Sequence, residues 1–429
     1  MHNKFQGNLI ALAVASILGG ASALASAAGF ALIEQSASGM GNAFAGAAAT
    51  AEDASTIFYN PAGMSMLSGT QFAVGGHAID LSAKFTNSGT SRAAGGGAIP
   101  LGPVSGGNGG EAGGVAFIPN FYLTTPINDK WTVGLGVNAP FGLKTEYDST
   151  WVGRYQGINS ELMSYNINPA ISYKITDTIA IAAGADYQHL KVKLSNAVMT
   201  GLATPDAMAN LDADGDAWGW NAGLLAQLSP HTRIGLSYRS QMKYSLDGST
   251  HVASSTGATL LNANVTADIT LPDMASLSIA HKLNDQWELL ADATFTRWSK
   301  IDTVNVMSSG TTLDTLSFKF DDTWRVSLGA NYFYNEQWTF KGGIAWDKSP
   351  VQDQYRTVRL PDNDRTWVAF GAKYKVTQSA AIDVAYAHLF ISNASINNTK
   401  VASSGLATTV VGSYEGSVNI LSVQYTQSF

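Results

Sequence analysis

The alternation of apolar and polar residues constrains the fold of this chain more than any other feature of its sequence. In the segment WTVGLGVN every second residue from Trp131 to Val137 is apolar, and the segments 287–295 and 324–332 repeat the pattern. Successive side chains of a β-strand point to opposite faces, whereas an amphipathic helix needs a period near 3.6 residues. Each segment therefore predicts a strand with one apolar and one polar face.

Short polar breaks separate these strands at regular intervals. Six of them are recognisable, INDKW, ITDTI, LSPHT, LNDQW, YNEQW and VTQSA. Each predicts a tight hairpin turn, and much longer Gly/Ser/Thr-rich loops such as 82–113 and 197–215 join the strand pairs on the other side. Short turns at one end and long loops at the other are typical of outer-membrane barrels. Because six short turns separate seven strand pairs, we predict an all-β fold, a closed antiparallel transmembrane β-barrel of 14 strands.

Aromatic residues lie at the ends of the strands near the short turns. Trp131, Trp287 and Trp338 directly follow a short turn, and Tyr173 and Tyr334 lie at or just before one. Membrane barrels carry such a girdle where the wall meets the bilayer interface, whereas a soluble β-protein has no reason to place its aromatics at one end. The pattern favours a membrane barrel over a large soluble β-protein.

Composition agrees with this fold and excludes several classes of function. Only 13% of residues are charged, yet no mature segment is apolar enough for a membrane helix. The net charge of −7 argues against a nucleic-acid partner, and the absence of cysteine excludes disulfides and thiolate sites. The segment DADGD lacks the glycine and the glutamate of a calcium loop, and the seven histidines form no catalytic cluster. We therefore predict no metal and no enzymatic activity.

Residues 1–27 have the layout of a secretory signal peptide. Lys4 lies in the polar start, residues 9–18 form a short apolar run, and Ala25-Ser26-Ala27 supplies the small residues of a cleavage site. We expect cleavage near Ala27 and Ala28, which places the mature chain outside the bacterial cytoplasm. A buried N-terminal helix is the alternative interpretation.

Residues 28–68 precede the first predicted strand and match nothing downstream. Eight strands close around a side-chain-filled interior and sixteen to eighteen leave an aqueous channel, so a 14-stranded lumen is hollow. The small residues of GNAFAGAAATAEDAST can pack in such a space. We predict a plug (hatch) inside the barrel formed by 69–429; the alternative is a disordered leader, although disorder usually brings more charge. Pro61 restricts Asn60 to extended conformations, so we predict that the stiff Asn60-Pro61-Ala62 link is a gate.

A known family shares these features. The segment AGFALIEQSASGMGNAFAGAAATAEDASTIFYNPAGMSML strongly resembles the N-terminal hatch of the FadL-type outer-membrane transporters of long-chain fatty acids and other hydrophobic compounds, including its Asn-Pro-Ala motif. The resemblance continues through VNAPFGLKTEY, WGWNAGLLAQL, YRSQMKYS, WRVSLGANYFYNEQWTFKGGIAWDKSPV and LPDNDRTW, and so covers nearly the whole mature chain. It implies a plugged 14-stranded barrel in the bacterial outer membrane.

The resemblance also implies a function, the passive uptake of long-chain fatty acids or similar hydrophobic molecules without a cofactor. Two alternatives remain open, an aromatic-hydrocarbon channel of the same family and a sealed structural or adhesive barrel. The expected partners are the hydrophobic substrate, outer-membrane lipid and lipopolysaccharide, and the barrel-assembly machinery. We expect a monomer.

Prolines in three successive predicted strands suggest a lateral opening in the wall. Pro119, Pro140 and Pro169 each remove a backbone donor, which is rare in central strands. Phe141 and Gly142 follow Pro140, and Gly142 matches the kink glycine of the family's third strand. We predict an opening near Pro140–Gly142; the alternative is that each proline lies at a harmless bulge.

Basic residues are candidates for binding a substrate head group. The resemblance implies basic residues near KVKL, here Lys191 and Lys193, and shortly before DDTWR, here Lys319. Arg325 lies beside Lys319 with an inward phase in the predicted strand. The alternative is that the inward charged residues form salt bridges that hold the plug.

Overall fold

The computed structural model describes residues 29–201, 205–402 and 404–429. Fourteen antiparallel strands form a closed barrel, as the turn count predicted. They are β1 (Gln71–Asn87), β2 (Gly114–Pro126), β3 (Trp131–Asn138 and Gly142–Glu146), β4 (Asn159–Thr176), β5 (Ile179–Val198), β6 (Ala207–Ser229), β7 (Thr232–Arg239 and Met242–Ala253), β8 (Thr259–Leu271 and Met274–Lys282), β9 (Trp287–Thr296 and Thr303–Ser308), β10 (Thr311–Ser317 and Thr323–Phe333), β11 (Trp338–Asp347), β12 (Arg365–Lys375), β13 (Ala380–Ile391 and Ala394–Val401) and β14 (Ala407–Ser428).

The barrel closes where the two ends of the chain meet. β1 pairs with β14 in unbroken register from Gln71 opposite Ser428 to Asn87 opposite Gly412. The loop between β1 and β2 carries a short hairpin of Ser91–Ala94 and Ile99–Pro103. Short 3-10 helices occupy Gly95–Gly97, Trp298–Lys300 and Asp353–Tyr355. No helix in the described ranges is long and apolar enough to cross a membrane.

All six predicted short turns connect consecutive strands, and the asparagine in three of them explains their tightness. The side-chain oxygen of Asn128 accepts hydrogen bonds from the backbone N–H groups of Lys130 and Trp131, both at 3.0 Å. Asn284 and Asn335 make the same pair of bonds in their turns. This Asx-turn geometry holds the backbone in a tight reversal. The sequence pattern Asn-X-X-Trp therefore fixes both the turn and the position of the tryptophan.

The tryptophans after these turns form the predicted girdle. Trp131 packs on Tyr173 of the neighbouring strand with ring centroids 4.5 Å apart, and the same arrangement occurs for Trp287 with Tyr332 and for Trp338 with Tyr374. A second row of exposed aromatics, Trp218, Trp220, Trp324 and Trp346, lies toward the long-loop end. Two aromatic rows separated by exposed apolar side chains are typical of a barrel wall that faces lipid.

The N-terminal segment contains three helices of one turn, α1 (Ala37–Met40), α2 (Ala47–Thr50) and α3 (Thr56–Tyr59), followed by a 3-10 helix over Pro61–Met66. Most of its side chains are buried. Its backbone lies against glycines of the wall; a side chain at Gly343 would overlap the carbonyl oxygen of Asn42, and one at Gly235 would overlap that of Ala48. The segment thus packs against the inward face of strands on different sides of the barrel.

Candidate functional site

The third strand is interrupted at Ala139, Pro140 and Phe141, and the N-terminal segment fills the interruption. The N–H of Leu32 donates to the Pro140 carbonyl oxygen and the N–H of Gly142 donates to that of Phe30, both at 2.8 Å. These bonds add the N-terminal segment to β3 as a short extra strand, with Ala31 bridged to Phe141. At the break, backbone groups of β3 have no partner on a neighbouring strand of the wall, and the N-terminal segment supplies hydrogen bonds to them from inside the barrel. Buried backbone polar groups need such partners.

An opening in the ladder between β2 and β3 begins at this break. The two strands pair from Pro126 opposite Thr132 as far as Phe121 opposite Val137, and no further. Beyond that point β2 pairs only with β1, where Pro119 lies opposite Gly76. Pro119 therefore lies on the free edge of β2, where a missing donor costs nothing.

The predicted proline cluster divides into two groups. Pro119, Pro140, Phe141 and Gly142 all flank the opening, whereas Pro169 does not. Pro169 lies opposite Leu135 in a continuous β3–β4 ladder, and the side-chain amide of Asn168 donates to the nearby Ala185 carbonyl oxygen at 2.8 Å. Its placement corrects the grouping made from the sequence, because a local irregularity toward β5 accounts for Pro169.

An apolar pocket lies above the break, toward the long loops. Strands β3 to β10 contribute its walls, with Leu162, Val192, Leu211, Val265, Val304 and Phe318 among the lining side chains. Its cavity measures about 90 Å³. This lining is that of a site for a hydrophobic small molecule.

Three aromatic rings separate the pocket from the opening. Phe30 lines the pocket and packs edge-on against Trp298, with ring centroids 5.0 Å apart. Phe141, at the break, lies 6.1 Å from Phe30 and 6.5 Å from Trp298 by the same measure. The backbone N–H of Gly29 donates to the Asp362 carboxylate at 2.8 Å and fixes the start of this segment. Phe30 therefore lies between the pocket and the break in the wall.

Arg359 is the one arginine or lysine among the described residues that line the pocket, whose lining also includes Ser160, Glu161 and Thr266. Its guanidinium donates to the carbonyl oxygen of Asn159 at 2.9 Å and to the hydroxyl of Ser160 at 3.0 Å, and its Nε makes no hydrogen bond. No salt bridge joins Arg359 to a carboxylate among the described residues. Burial lowers the pKa of Arg359 to about 10, while Asp314 acts in the opposite direction, so the side chain is charged at neutral pH.

The four basic residues singled out from the sequence do not meet in this pocket. Lys191 and Lys193 alternate with Val192 and Leu194, which line it, so the two lysines point to the outer face of β5. The Lys193 side chain is 44% exposed and its ammonium lies 4.0 Å from Asp212. A head group inside the lumen is out of reach from that face, and this placement contradicts the prediction for both lysines.

Lys319 and Arg325 are also separated. Lys319 lies between the two segments of β10 with a 41% exposed side chain, and its ammonium is 2.7 Å from the Asp302 carboxylate. Arg325 faces the lumen and donates to the Ala43 carbonyl oxygen of the N-terminal segment at 2.8 Å. Arg325 thus holds the N-terminal segment, in line with the alternative interpretation, and Lys319 forms a surface ion pair.

Asn60, Pro61 and Ala62 tie the N-terminal segment to the wall. The side-chain amide of Asn60 donates to the carbonyl oxygens of Ala48, at 2.7 Å, and of Leu224 on β6, at 3.0 Å. Its side-chain oxygen accepts from the Ala62 N–H at 3.1 Å and caps the 3-10 helix that begins at Pro61. An asparagine before a proline suits this position because the residue must be extended and must cap the helix.

A buried ionic cluster, Glu52 with Lys341, Lys373 and Asp383, holds the same segment on the opposite side. The Glu52 carboxylate lies 2.7 Å from the ammonium of Lys341 and 2.8 Å from that of Lys373. Burial alone would raise the pKa of Glu52, but the two ammonium groups outweigh it and lower the pKa to about 2. The sequence gave no sign of this cluster, because Glu52 is 289 residues from Lys341 and 321 residues from Lys373 and no local pattern pairs residues so far apart.

The chain is similar to known proteins over almost its whole length. Residues 19–429 match the family described as outer membrane protein transport protein (OMPP1/FadL/TodX). Outer membrane protein P1 of Haemophilus influenzae is 34% identical over 423 residues, which cover 90% of each protein. The long-chain fatty acid transport protein of Escherichia coli O6:H1 (strain CFT073) is 30% identical over 422 residues, which cover 90% of this chain and 91% of that protein.

Solved structures share the fold. A FadL homologue of Pseudomonas aeruginosa superposes with a TM-score of 0.84 at 24% identity, over 94% of this chain and 100% of that one. The toluene transporter TbuX of Ralstonia pickettii superposes with a TM-score of 0.68 at 20% identity, over 92% of this chain and 98% of that one. Both comparisons extend over almost the entire barrel.

Proposed function

Since the chain belongs to the outer membrane protein transport family (OMPP1/FadL/TodX), whose members carry hydrophobic compounds through the outer membrane, we propose that it takes up long-chain fatty acids. The fatty acid binds in the apolar pocket with its carboxylate toward Arg359. It then leaves sideways through the opening between β2 and β3. The process is passive, and the protein needs no cofactor for it.

The single observation that carries this proposal is Arg359, whose charge lies in the wall of an apolar pocket. A buried guanidinium without a carboxylate partner is costly, and a bound carboxylate would relieve that cost. An aromatic hydrocarbon has no group that could do so. The pocket therefore favours an amphipathic anion over a neutral ring compound.

Hydrophobic substrates need a sideways exit for an energetic reason. Moving an acyl chain from apolar surroundings into water costs about 0.8 kcal/mol per CH₂, so sixteen carbons cost on the order of 13 kcal/mol. Release into the periplasm would incur this cost in full, whereas release through the wall leads directly into lipid. The opening at Pro119 and Pro140 lies beside Phe141, which connects it to Phe30 and the pocket.

The plug segment closes this route. Phe30 to Leu32 pair with the interrupted part of β3, so the opening is sealed from inside by hydrogen bonds that can be exchanged for a different plug position. We propose that displacement of this segment joins the pocket to the opening. The Asn60-Pro61-Ala62 link, bonded to β6, would limit how far the displacement spreads.

Replacement of Arg359 by Met tests the proposal. Loss of a charge-assisted hydrogen bond costs about 1.5–3 kcal/mol, so oleate should bind the purified R359M protein roughly tenfold to a hundredfold more weakly. Binding of toluene or of an alkene of equal length should not change. Lys319→Gln is the matched control, because it removes a cation that lies outside the pocket. An equal loss of oleate and alkene binding would mean that Arg359 only supports the fold.

Aromatic-hydrocarbon uptake is the second candidate, favoured by the likeness in fold to a toluene transporter. Growth of a deletion strain on oleate and on toluene separates the two candidates. Impaired growth on toluene alone would select the second. Normal growth on every hydrophobic carbon source would instead support a sealed structural barrel.

A further inference from the structure

The wall of the barrel is unpaired at a second place, between β8 and β9. From the short turn the two strands pair without a break up to Met274 opposite Thr296. Toward the long loops a single ladder pair joins them, Thr266 opposite Met307. No ladder pair is described between these two pairs, and we call this stretch the β8–β9 gap. On its other side β8 pairs with β7 along nearly the same stretch, so the ladder is interrupted toward β9 alone.

The gap arises because β9 is longer than β8 over the same distance. β8 takes eight residues from Met274 to Thr266, whereas β9 takes eleven from Thr296 to Met307. The three additional residues correspond in number to the 3-10 turn Trp298–Lys300. Additional residues in one strand take it out of register with its neighbour and interrupt the ladder.

The apolar pocket lies directly behind the β8–β9 gap. Ala267 and Ile269 of β8 and Val304 and Val306 of β9 are among its lining residues. Thr266, at the upper end of the gap, is exposed and also lines the pocket. At this height no hydrogen-bonded ladder separates the pocket from the outer surface of the wall.

Side chains fill the lower part of the gap more completely than the upper part. Leu271, Trp298 and Ile301 have 0%, 1% and 2% of their surface exposed and belong to one apolar cluster. Above them β8 contributes Ala267, whose single methyl group covers little surface. The thinnest part of the wall therefore lies above Leu271, next to the pocket.

The gap begins at the outer row of exposed aromatics. Trp324 of that row packs on Phe295, with ring centroids 5.0 Å apart, and Phe295 lies two residues before Arg297, where the gap starts on β9. Such aromatic rows mark the level of the lipid head groups. Arg297 and Lys300 border the gap and are exposed, and Lys300 forms no ion pair with a carboxylate of the described chain. The gap thus opens at head-group level beside a free cation.

Packed loops close the direct route from the water above the pocket. Arg359 and Leu360 line the pocket from the loop side. The neighbouring Val358 carbonyl oxygen accepts from the Tyr147 hydroxyl at 2.7 Å, and Tyr147 stacks on the buried Trp151 with ring centroids 3.9 Å apart. A substrate that arrived from the water would have to separate these loops.

We propose that the β8–β9 gap is a side entrance through which a long-chain fatty acid enters the pocket from the outer leaflet. This inference rests on the proposed function. The acid lies in the leaflet with its carboxylate at head-group level near Lys300. Its acyl chain passes first between the two strands to the apolar residues behind them, and the carboxylate follows toward Arg359. The acyl chain exchanges lipid for protein without being exposed to water, which the hydrophobic effect opposes. Entrance and exit are then two separate gaps in one wall.

A disulfide across the gap tests the side entrance. Thr266 and Met307 are ladder partners, so their Cα atoms lie within disulfide reach, and the chain has no cysteine of its own. In cells that lack their own transporter of this family, oxidised T266C/M307C should lower oleate uptake to the background of cells without the protein. Reduction of the disulfide should restore uptake. The matched control is S245C/D268C, which joins β8 to β7 at a pair of the continuous ladder and should leave uptake unchanged when oxidised.

The order of addition separates this inference from the proposed function. Purified T266C/M307C should retain oleate that is added before oxidation and should bind oleate that is added after oxidation far more slowly than the reduced variant does. Uptake by oxidised T266C/M307C equal to that of the oxidised control would overturn the side entrance, and so would loss of binding in both orders of addition. A parent protein that binds no oleate would refute the fatty-acid function itself.

Discussion

Loss of the Glu52 carboxylate should release the plug without unfolding the barrel. Glu52 is the one acid of the N-terminal segment that lies between two barrel lysines, Lys341 at 2.7 Å and Lys373 at 2.8 Å. Glu52→Gln keeps the size of the side chain and removes its charge. Asp383 then remains as the partner of Lys341, at 3.1 Å, so the barrel wall keeps an ion pair of its own.

The magnitude follows from the pKa of Glu52, which is lowered from 4.5 to about 2. Each pKa unit corresponds to about 1.4 kcal/mol, and the 24% exposed Glu52 side chain calls for some allowance for solvent screening. The carboxylate therefore contributes about 2–3 kcal/mol to plug anchoring. Because the folded-state pKa is lowered, this contribution is present above pH 4.5 and is lost as the pH falls toward 2.

Alkylation of a single cysteine measures the release. The chain has no cysteine, so Ser55→Cys places one thiol in a buried position of the plug. At neutral pH the thiol should react roughly thirtyfold to a hundredfold faster in the E52Q background than in the parent protein. Asp314→Asn is the control, since it breaks a lysine–carboxylate pair of 2.7 Å that does not involve the plug. A rate within twofold of the parent protein would refute the anchoring argument.

Three further predictions concern the plug and the exit. Deletion of Asn60 to Ala62 should reduce uptake while leaving the heat-modifiable barrel band on a gel; loss of that band would make the segment structural. Gly142→Trp should block uptake without unfolding the barrel. A disulfide between cysteines introduced near Pro119 and Gly142 should also block uptake, until it is reduced. Full transport with the opening between β2 and β3 sealed in this way would exclude the lateral route. Burial raises the pKa of Glu34 to about 7, so the folded protein loses stability as the pH rises from 4.5 to 7 and the buried carboxyl group ionises. Glu34→Gln removes this loss and should raise the free energy of unfolding by about 3 kcal/mol above pH 7. The variant should therefore melt at a higher temperature than the parent at pH 7.5 and at nearly the same temperature at pH 4.5.

The wall of the barrel was predictable because its rules are local. Alternation at Trp131 to Val137 sets the faces of a strand, and an asparagine three positions before a tryptophan sets a turn; both are visible within ten residues. The strand count and the aromatic girdle followed from these signals. The structure places the prolines at 119 and 140 beyond the end of the β2–β3 ladder, where no ladder bond is needed.

The site was harder to predict because it depends on residues that are distant in sequence. Lys191 and Lys193 are one residue out of phase with the pocket, and a strand turns each side chain to the opposite face from its neighbour. Arg359 lies in a loop, where no periodicity assigns a direction, so only the folded chain brings it to Asn159 and the pocket. In the sequence Pro169 could not be distinguished from Pro119 and Pro140. In the structure it lies within a continuous ladder, and the side-chain amide of the neighbouring Asn168 donates to a backbone carbonyl oxygen of β5.

The seam between β1 and β14 has a consequence for the order of folding. The two strands lie at opposite ends of the chain, so their pairing closes a loop of several hundred residues and is expected to form late. The N-terminal segment precedes β1 in the chain, so it is available to pack before β14 closes the seam. Gln424 of β14 accepts from the N–H of Ala37 at 3.1 Å and donates to Asp53 at 2.8 Å, so the last strand docks on the plug as well as on β1. The N-terminal segment thereby provides part of the surface on which the final strand docks. Closure of the barrel is therefore most favourable when this segment already fills the lumen.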